Sequence, residues 1–472
     1  MRQRGEGQRR SVRSTRTPNQ ALRALLAEAG WSGARLARVV NALGAAQGVA
    51  LRYDRSSVAH WLAGSRPRPP VPSLVAEALT RQLGRHVGEA DTGLVRTTSP
   101  PAPPGEQADE GDSVSRLHDL LRVIDRRGAA RLGAYSLTAL VTPGTPSGLA
   151  SAATPLHDRR PLSAPPPGPV GQEHVASAHA MLDLFSRQEA AFGAGGVHVP
   201  LRQYLSTTLL PWLRADPPPA VRRELFNVAA RLTYLCAFAH FDMNQQVAAQ
   251  RLYLASVELA REVGDMAGQA IALRGLSHQA RTLGHHAEAL TLAEQAVGLG
   301  ERYLPPRQQA FLRGQLAVAL AADGDARSVR QLSLAERRLE RATSDSSSVA
   351  AFHAGSLALQ HAAVARKLGD RRVVLRALDA SLRHRPVEER RSRALVLAEL
   401  GEEHLAQGHL EQSCQAWQLF LDIYPKVRSA RVDNRLRRAQ AALRPHSANP
   451  AAAAVLRRVR AVRAGPGSRG AD

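Results

Sequence analysis

Turns recur through the second half of the chain at a nearly fixed interval. Short polar or glycine-containing turns fall near Met243, Gly284, Gly324, Gly369 and Gly408, with gaps of 41, 40, 45 and 39 residues. Each lies between two stretches whose apolar residues keep helical spacing, so each unit reads as a helical hairpin. One such hairpin cannot bury its apolar face alone, whereas stacked neighbours bury a continuous core. A period in this range therefore signals a solenoid. Composition agrees. The residues AVILMFWYC make up 44% of the chain but aromatics only 4%, so the core must be built from Ala, Leu and Val. That favours close-packed helices over a sandwich or barrel. No useful strand-like alternation interrupts residues 172–443, and the expected fold class is all-α.

The hairpins carry a size pattern. Leu400-Gly401 precedes the Gly408 turn, and Ser413, Trp417 and Pro425 follow it. Leu276-Ser277 precedes Gly284, with Ala289 and Ala296 after it; Ala362 precedes Gly369, with Leu378 and Pro386 after it. Small residues belong where paired helices cross closely, and large ones fill the groove between hairpins. Pro386 and Pro425 each fall 17 residues after their glycine and should end the second helix. At Gly324 the corresponding positions hold Val329, Ser333 and Glu336, a poor match. The pattern resembles the tetratricopeptide repeat with stretched inter-hairpin loops; another helical repeat is the plainer alternative.

The rest of the chain divides by composition. Residues 1–18 are polar and basic and are expected to be a disordered arm. Residues 19–90 form an apolar-periodic block. Residues 91–171 read as a proline-rich linker holding a short helix at about 114–127, and 444–472 as a basic tail, a frayed helix or disordered. The net charge is +22, and 61 of the 63 cations are Arg. Residues 1–90 hold 15 Arg against 5 acids, a net +10, and 444–472 hold a net +5. The remaining +7 is spread over 353 residues. A basic front on a nearly balanced body suggests an anion-binding head on a neutral scaffold.

Four helices are expected in the head. The first spans about 19–29, with Asn19 as its N-cap and Gly30 as its stop, and the second about 32–43. After a loop at 44–53, the third spans about 54–63, capped by Asp54 and closed by Gly64. The fourth spans about 73–84. Along the third helix Val58, Trp61 and Leu62 form an inward face, while Arg55, Ser56, Ser57 and His60 show on the other. Arg55, at the helix start, is placed to offer its planar fork to guanine O6 and N7. Ser56, Ser57 and His60 suit phosphate or a base edge. Arg66 and Arg68, held extended by prolines, suit the backbone beside the groove, and Arg35 and Arg52 suit further phosphates. A lone surface arginine needs no function beyond its charge, so the argument rests on the set.

This block resembles the helix-turn-helix of phage repressors, with Leu36-Ala37-Arg38-Val39-Val40-Asn41 as positioning helix and Tyr53 to Gly64 as recognition helix. Residues 42–53 are far longer than that family's usual turn, which leaves the angle between the two helices open. A wider resemblance covers most of the chain. Its most specific stretches are Leu22 to Gly30, Leu51-Arg52-Tyr53-Asp54 and Ser57 to Leu62, with support from Phe192 to His198 and Arg223-Glu224-Leu225-Phe226. It is similar to actinomycete regulators that join an N-terminal helix-turn-helix to C-terminal tetratricopeptide repeats. That resemblance implies control, often negative, of sporulation and antibiotic production.

Other chemistry is thinly represented. There is no GxxxxGK[ST], no strand-following GxGxxG, no HExxH and no G-x-S-x-G. His285-His286 sits in a turn without a matching ligand set, and Cys236 and Cys414 lie in apolar helical settings as packed thiols. No run of 18 apolar residues marks a membrane span, and no secretory signal leads the chain. Arg126-Arg127 precede an apolar stretch that Arg131 interrupts, so export through them is not expected. These features predict a cytoplasmic protein that is not an enzyme and takes no cofactor or metal. Two functions are open. One is a sequence-specific regulator of double-stranded DNA whose repeats bind a protein or peptide, or make a homodimer. The other is a scaffold or adaptor whose basic head holds anions loosely.

Overall fold

The computed structural model describes residues 17–46, 51–83, 87–95, 112–125, 132, 135–141, 168–342 and 352–463. Outside them lie 1–16 of the basic arm, 47–50 of the long turn, 96–111 and 142–167 of the proline-rich stretches, the Arg126-Arg127 pair, and 464–472 of the tail. Among the described residues every regular element is helical. The chain divides into two compact units, Met1–Glu106 and Gln107–Asp472.

The first unit contains α1 (Gln20–Glu28), α2 (Gly33–Ala46), α3 (Arg55–Leu62) and α4 (Val71–Leu83). Asn19 caps α1 as expected. Its Oδ1 accepts from the Leu22 amide at 2.9 Å, and its side-chain amide donates to the Thr92 carbonyl at 2.9 Å. The core is aliphatic: Leu22, Leu36, Val40, Val58, Leu74, Val75 and Leu79 are wholly buried. Val87, Thr92 and Leu94 are buried as well, so residues 91–95 belong to the head rather than to a linker. Helix α4 starts at Val71, two residues before the expected 73, because Pro72 fits the first turn of a helix.

The second unit opens with α5 (Ser113–Asp125) and the short α6 (Thr138–Val141), then α7 (Gln172–Phe192). A broken helical segment follows, made of α8 (His198–Tyr204), a π-turn over Leu205–Leu209, and α9 (Leu210–Arg214). The stretch expected as a linker is thus partly corrected. Val114, Leu117 and Leu121 of α5 are buried in the main core together with Tyr135, Ala139 and Leu140. Each of the aliphatic side chains Val114, Leu117, Leu121 and Leu140 contributes about 1.5–3 kcal/mol. Two polar contacts fix the strap. Arg116 Nε meets Glu258 at 3.0 Å, and the Gln250 side-chain amide exchanges two hydrogen bonds with the Ser136 backbone, at 2.8 and 2.7 Å.

Six hairpins follow. They pair α10 (Pro219–Asp242) with α11 (Gln246–Glu262), α12 (Met266–Thr282) with α13 (His286–Tyr303), and α14 (Pro306–Ala322) with α15 (Arg327–Glu340). Next come α16 (Ala354–Lys367) with α17 (Arg371–His384), α18 (Arg390–Ala406) with α19 (Leu410–Ile423), and α20 (Ala430–Leu443) with α21 (Pro450–Arg463). The last pair corrects the expected tail. Ala452, Val455, Leu456 and Val459 of α21 are buried against the same core as Trp417 and Phe420. The turns sit where expected. Asn244, Gly284, Gly324, Gly369 and Gly408 take φ of 59, 90, 82, 81 and 81°, a left-handed conformation that glycine and asparagine tolerate best.

The buried pattern after each turn is regular. Positions five, nine and twelve residues on are Ala249, Tyr253 and Ser256; Ala289, Ala293 and Ala296; Val374, Leu378 and Ser381; and Ser413, Trp417 and Phe420, all buried. After Gly324 the buried set is Ser328, Leu332 and Ala335, one residue earlier, and Val329 is exposed. The poor match at Val329, Ser333 and Glu336 is therefore a one-residue shift of register, about 100° of rotation around the helix. At Gly401 the crossing requires glycine, since a Cβ would lie 2.5 Å from the Trp417 indole nitrogen. Ser413 Oγ donates to the Gly401 carbonyl at 2.7 Å, and Ser277 Oγ to that of Ala289 at 2.7 Å. Helix α17 stops two residues before Pro386, and Pro425 lies in the 3-10 turn after α19.

The coil also closes on itself. Helix α7 packs on both α10 and α18. Arg391 of α18 sets its Nε 2.7 Å from Glu189 of α7 and its Nη1 3.4 Å from Asp242 at the end of α10. Beside this triad the Gly195 amide donates to the Arg428 carbonyl at 2.8 Å, and the Arg428 amide to the Phe192 carbonyl at 2.7 Å. A Cβ on Gly193 would come within 2.6 Å of that same Arg428 carbonyl oxygen. Among the described residues no helix is long and apolar enough to cross a membrane.

Candidate nucleic-acid interface

Helix α3 is short, so its ends decide its stability. Asp54 Oδ1 accepts from the Ser57 amide at 2.9 Å, while the Asp54 amide reaches back to Ser57 Oγ at 3.4 Å, which makes a reciprocal capping box. Ser56 and Ser57 also donate their hydroxyls to Asp54 Oδ1, at 2.7 and 2.8 Å. These hydrogen bonds, the Ser57 amide's first, hold the Asp54 carboxyl down at a pKa of about 2. Gly64 ends the helix at φ 97°.

The helix has two faces. Val58 and Trp61 are buried, with Trp61 edge-on to Tyr53 at 5.1 Å between ring centroids. Arg55, Ser56 and His60 are exposed. Ser57 is half-buried and its hydroxyl serves the cap in both directions, so it supports the helix end instead of standing free beside Arg55. The long turn does not leave α3 loose. The Asn41 side chain of α2 donates to the Tyr53 carbonyl at 2.8 Å and accepts from the Tyr53 amide at 2.9 Å. This two-point clamp sits one residue before the Asp54 cap and fixes the start of α3 against α2. It is missed by reading side-chain periodicity alone, because Asn41 bonds to backbone.

Arginines lie on α2, at the start of α3 and in the segments before and after it. Arg35, Arg52, Arg55, Arg66 and Arg68 are all exposed, and none makes an ion pair among the described residues. Arg35 lies over the Trp31 ring at 5.5 Å, which orients the guanidinium without consuming its N–H donors. Arg38, absent from the expected set, is exposed one turn beyond Arg35 on α2, and the i, i+3 spacing in the sequence marks it. By contrast Arg81 is paired with Glu77 at 2.6 Å. The unit therefore carries six exposed, unpaired guanidinium groups on α2, α3 and the segments flanking α3.

Residues 22–95 match the family model of the SP15 N-terminal domain. The SP15_N match runs from the first core leucine of α1 to the residue after Leu94, so it covers the four helices and the buried extension that follows them. No curated protein matches the chain.

Proposed function

We propose that this chain is a sequence-specific DNA-binding transcriptional regulator of the cytoplasm, acting in development or secondary metabolism. The observation that carries the reading is the build of α3. A capped helix with Val58 and Trp61 turned inward offers Arg55, Ser56 and His60 outward, and unpaired arginines flank it. Arg55 is the base-reading residue, with Ser56 and His60 beside it. Arg35, Arg38, Arg52, Arg66 and Arg68 supply phosphate contacts. Ser57 acts by holding the helix end. The repeats bind a partner or bring two heads together, so that two half-sites about one helical turn apart are read.

The test is capture and sequencing of fragmented host DNA by the full-length protein and by Arg55→Ala. A motif recovered by the native chain and lost or relaxed in Arg55→Ala supports the reading. Recovery without sequence preference by both forms, weakening with salt, replaces it with a scaffold whose head holds anions loosely.

A further inference from the structure

We propose that the interior of the solenoid is a binding site for a small polyanion, a molecule carrying two or more phosphate or carboxylate groups, with Arg274, Arg281 and Arg431 as its cationic ligands. Three elements converge there. Arg274, His278 and Arg281 stand at i, i+4 and i+7 on one face of α12. Phe241 at the end of α10 packs edge-on to His278, with ring centroids 5.2 Å apart. Arg431 of α20, from the last hairpin, lies 4.7 Å over that same Phe241 ring.

Asp242 lends negative charge to Arg431 and Glu399 to Arg281, but neither carboxylate forms its ion pair with them. The neighbouring carboxylates are already taken. Arg391 holds Glu189 and Asp242. Glu399 pairs with Arg366 at 3.2 Å and Arg435 at 3.3 Å, Glu402 pairs with Arg435, and Glu403 with Arg366 at 3.4 Å. Arg274, Arg281 and Arg431 have no ion pair among the described residues, and the Nε atoms of Arg274 and Arg281 are buried without a hydrogen-bond partner. All three are half-buried, and three unpaired guanidinium groups gathered on these elements repel one another, a cost that a bound anion would relieve. Arg274 is held 3.8 Å over the Phe311 ring and Arg431 over Phe241. Such contacts place a guanidinium while leaving its N–H donors free. The cluster also acts on His278, which burial and the charges of Arg281, Arg274 and Arg431 hold well below the usual histidine range. A neutral His278 offers both a donor and an acceptor to a bound group.

Size follows from the closure of the coil. Helix α7 packs on the first and fifth hairpins, and Gly193 and Gly195 contact Arg428 just before the sixth. An extended peptide running along the concave face would have to displace them, whereas a compact anion would not. The aromatic faces are already covered by arginine and histidine, so the ligand is recognised through its charged oxygens.

The test uses full-length protein and calorimetric titration with inorganic pyrophosphate, tripolyphosphate and citrate at constant ionic strength. The expected result is saturable binding by the native chain, with affinity lowered roughly ten- to a hundredfold in Arg281→Gln and in Arg431→Gln. The exposed Arg372→Gln should leave it unchanged. The phosphate and citrate arms separate the two sources of negative charge. Without probe, Arg281→Gln should unfold at the same or a higher denaturant concentration than the native chain, because it removes an uncompensated charge. Equal binding by native and Arg281→Gln protein, a large loss of probe-free stability in Arg281→Gln, or binding only of an oligoglutamate peptide would overturn the proposal. No DNA enters the measurement, so a head that fails to select a sequence leaves this site standing.

Discussion

Replacing Arg391 by Met should open the closed solenoid. The guanidinium lies 2.7 Å from Glu189 and 3.4 Å from Asp242, and the three side chains are 9%, 7% and 0% exposed. Met keeps most of the volume but strands two buried carboxylates. Removing one partner of a buried pair is worth about 3–5 kcal/mol of destabilisation. The lower end is expected at neutral pH. Burial already raises the Glu189 pKa to about 7 against the opposing pull of Arg391. Without Arg391 the carboxyl takes up a proton more readily, and part of the penalty is recovered. The pH dependence of the native chain has a definite sign. The folded state holds the Glu189 proton up to about pH 7, whereas an ordinary Glu releases it near 4.5. This group's contribution is therefore fully present below about pH 4.5 and is lost as pH rises through 7. Glu189→Gln should flatten that dependence. The assay is urea denaturation followed by circular dichroism at pH 5 and pH 8, with hydrogen exchange read at Gly195 and Arg428. Those two amides bridge the ends of the coil at 2.8 and 2.7 Å and should exchange faster in Arg391→Met. An unchanged denaturation midpoint together with unchanged exchange at both amides would show that the triad does not hold the ends together.

Two further substitutions probe the head and the repeats. Asn41→Ala removes both hydrogen bonds to the Tyr53 backbone and should lower stability by about 1–3 kcal/mol in thermal denaturation. It should also weaken DNA selection although Asn41 is not a proposed DNA contact, and selection equal to the native chain's would refute the clamp. Gly401→Ala drives a Cβ into the Trp417 indole and should destabilise the fifth hairpin by about 1–3 kcal/mol, whereas Gly298→Ala, where a Cβ meets nothing within 4 Å, should be neutral or stabilising. Equal denaturation midpoints for the two variants would refute the close crossing.

The hairpins were legible where a turn glycine announces a fixed phase. Gly284, Gly369 and Gly408 are each followed by buried residues at the same three offsets. Gly324 breaks the reading because the next helix runs one residue out of phase, and position counting cannot tell a shifted register from a weak one. The sixth hairpin was lost for another reason. Its connection, residues 444–449, contains no glycine, and α21 is a run of alanines and arginines whose only large apolar residues are Val455, Leu456, Val459 and Val462. Docking that helix takes a preformed groove beside Trp417 and Phe420, which no local pattern describes. Helix α5 has the better signal. Val114, Leu117 and Leu121 keep i, i+3, i+7 spacing, which gave the helix at about 114–127, but no local pattern says that a helix between proline-rich stretches docks in the main core.

At the candidate interface the legible part is again the local part. The two faces of α3 follow from a helix eight residues long with Val58 and Trp61 three apart, and the cap follows from Asp54 standing three residues before Ser57. What escaped is every contact in which a side chain meets distant backbone or a distant charge. Asn41 holds Tyr53 across the long turn through an amide pair, and the spacing of neither residue announces it. Arg391 looks in sequence like one member of the Arg390-Arg391 pair at a helix start, yet its partner Asp242 lies 149 residues away. Closure of the coil converts such a residue from surface charge to buried clasp, and it brings Arg431 to the Phe241 ring against which His278, between Arg274 and Arg281, also packs. The same arginine-rich composition thus has opposite meanings in the two units. On the head it is an exposed set without carboxylate partners; in the solenoid it supplies buried clasps such as Arg391 and Arg385 alongside the unpaired Arg274, Arg281 and Arg431.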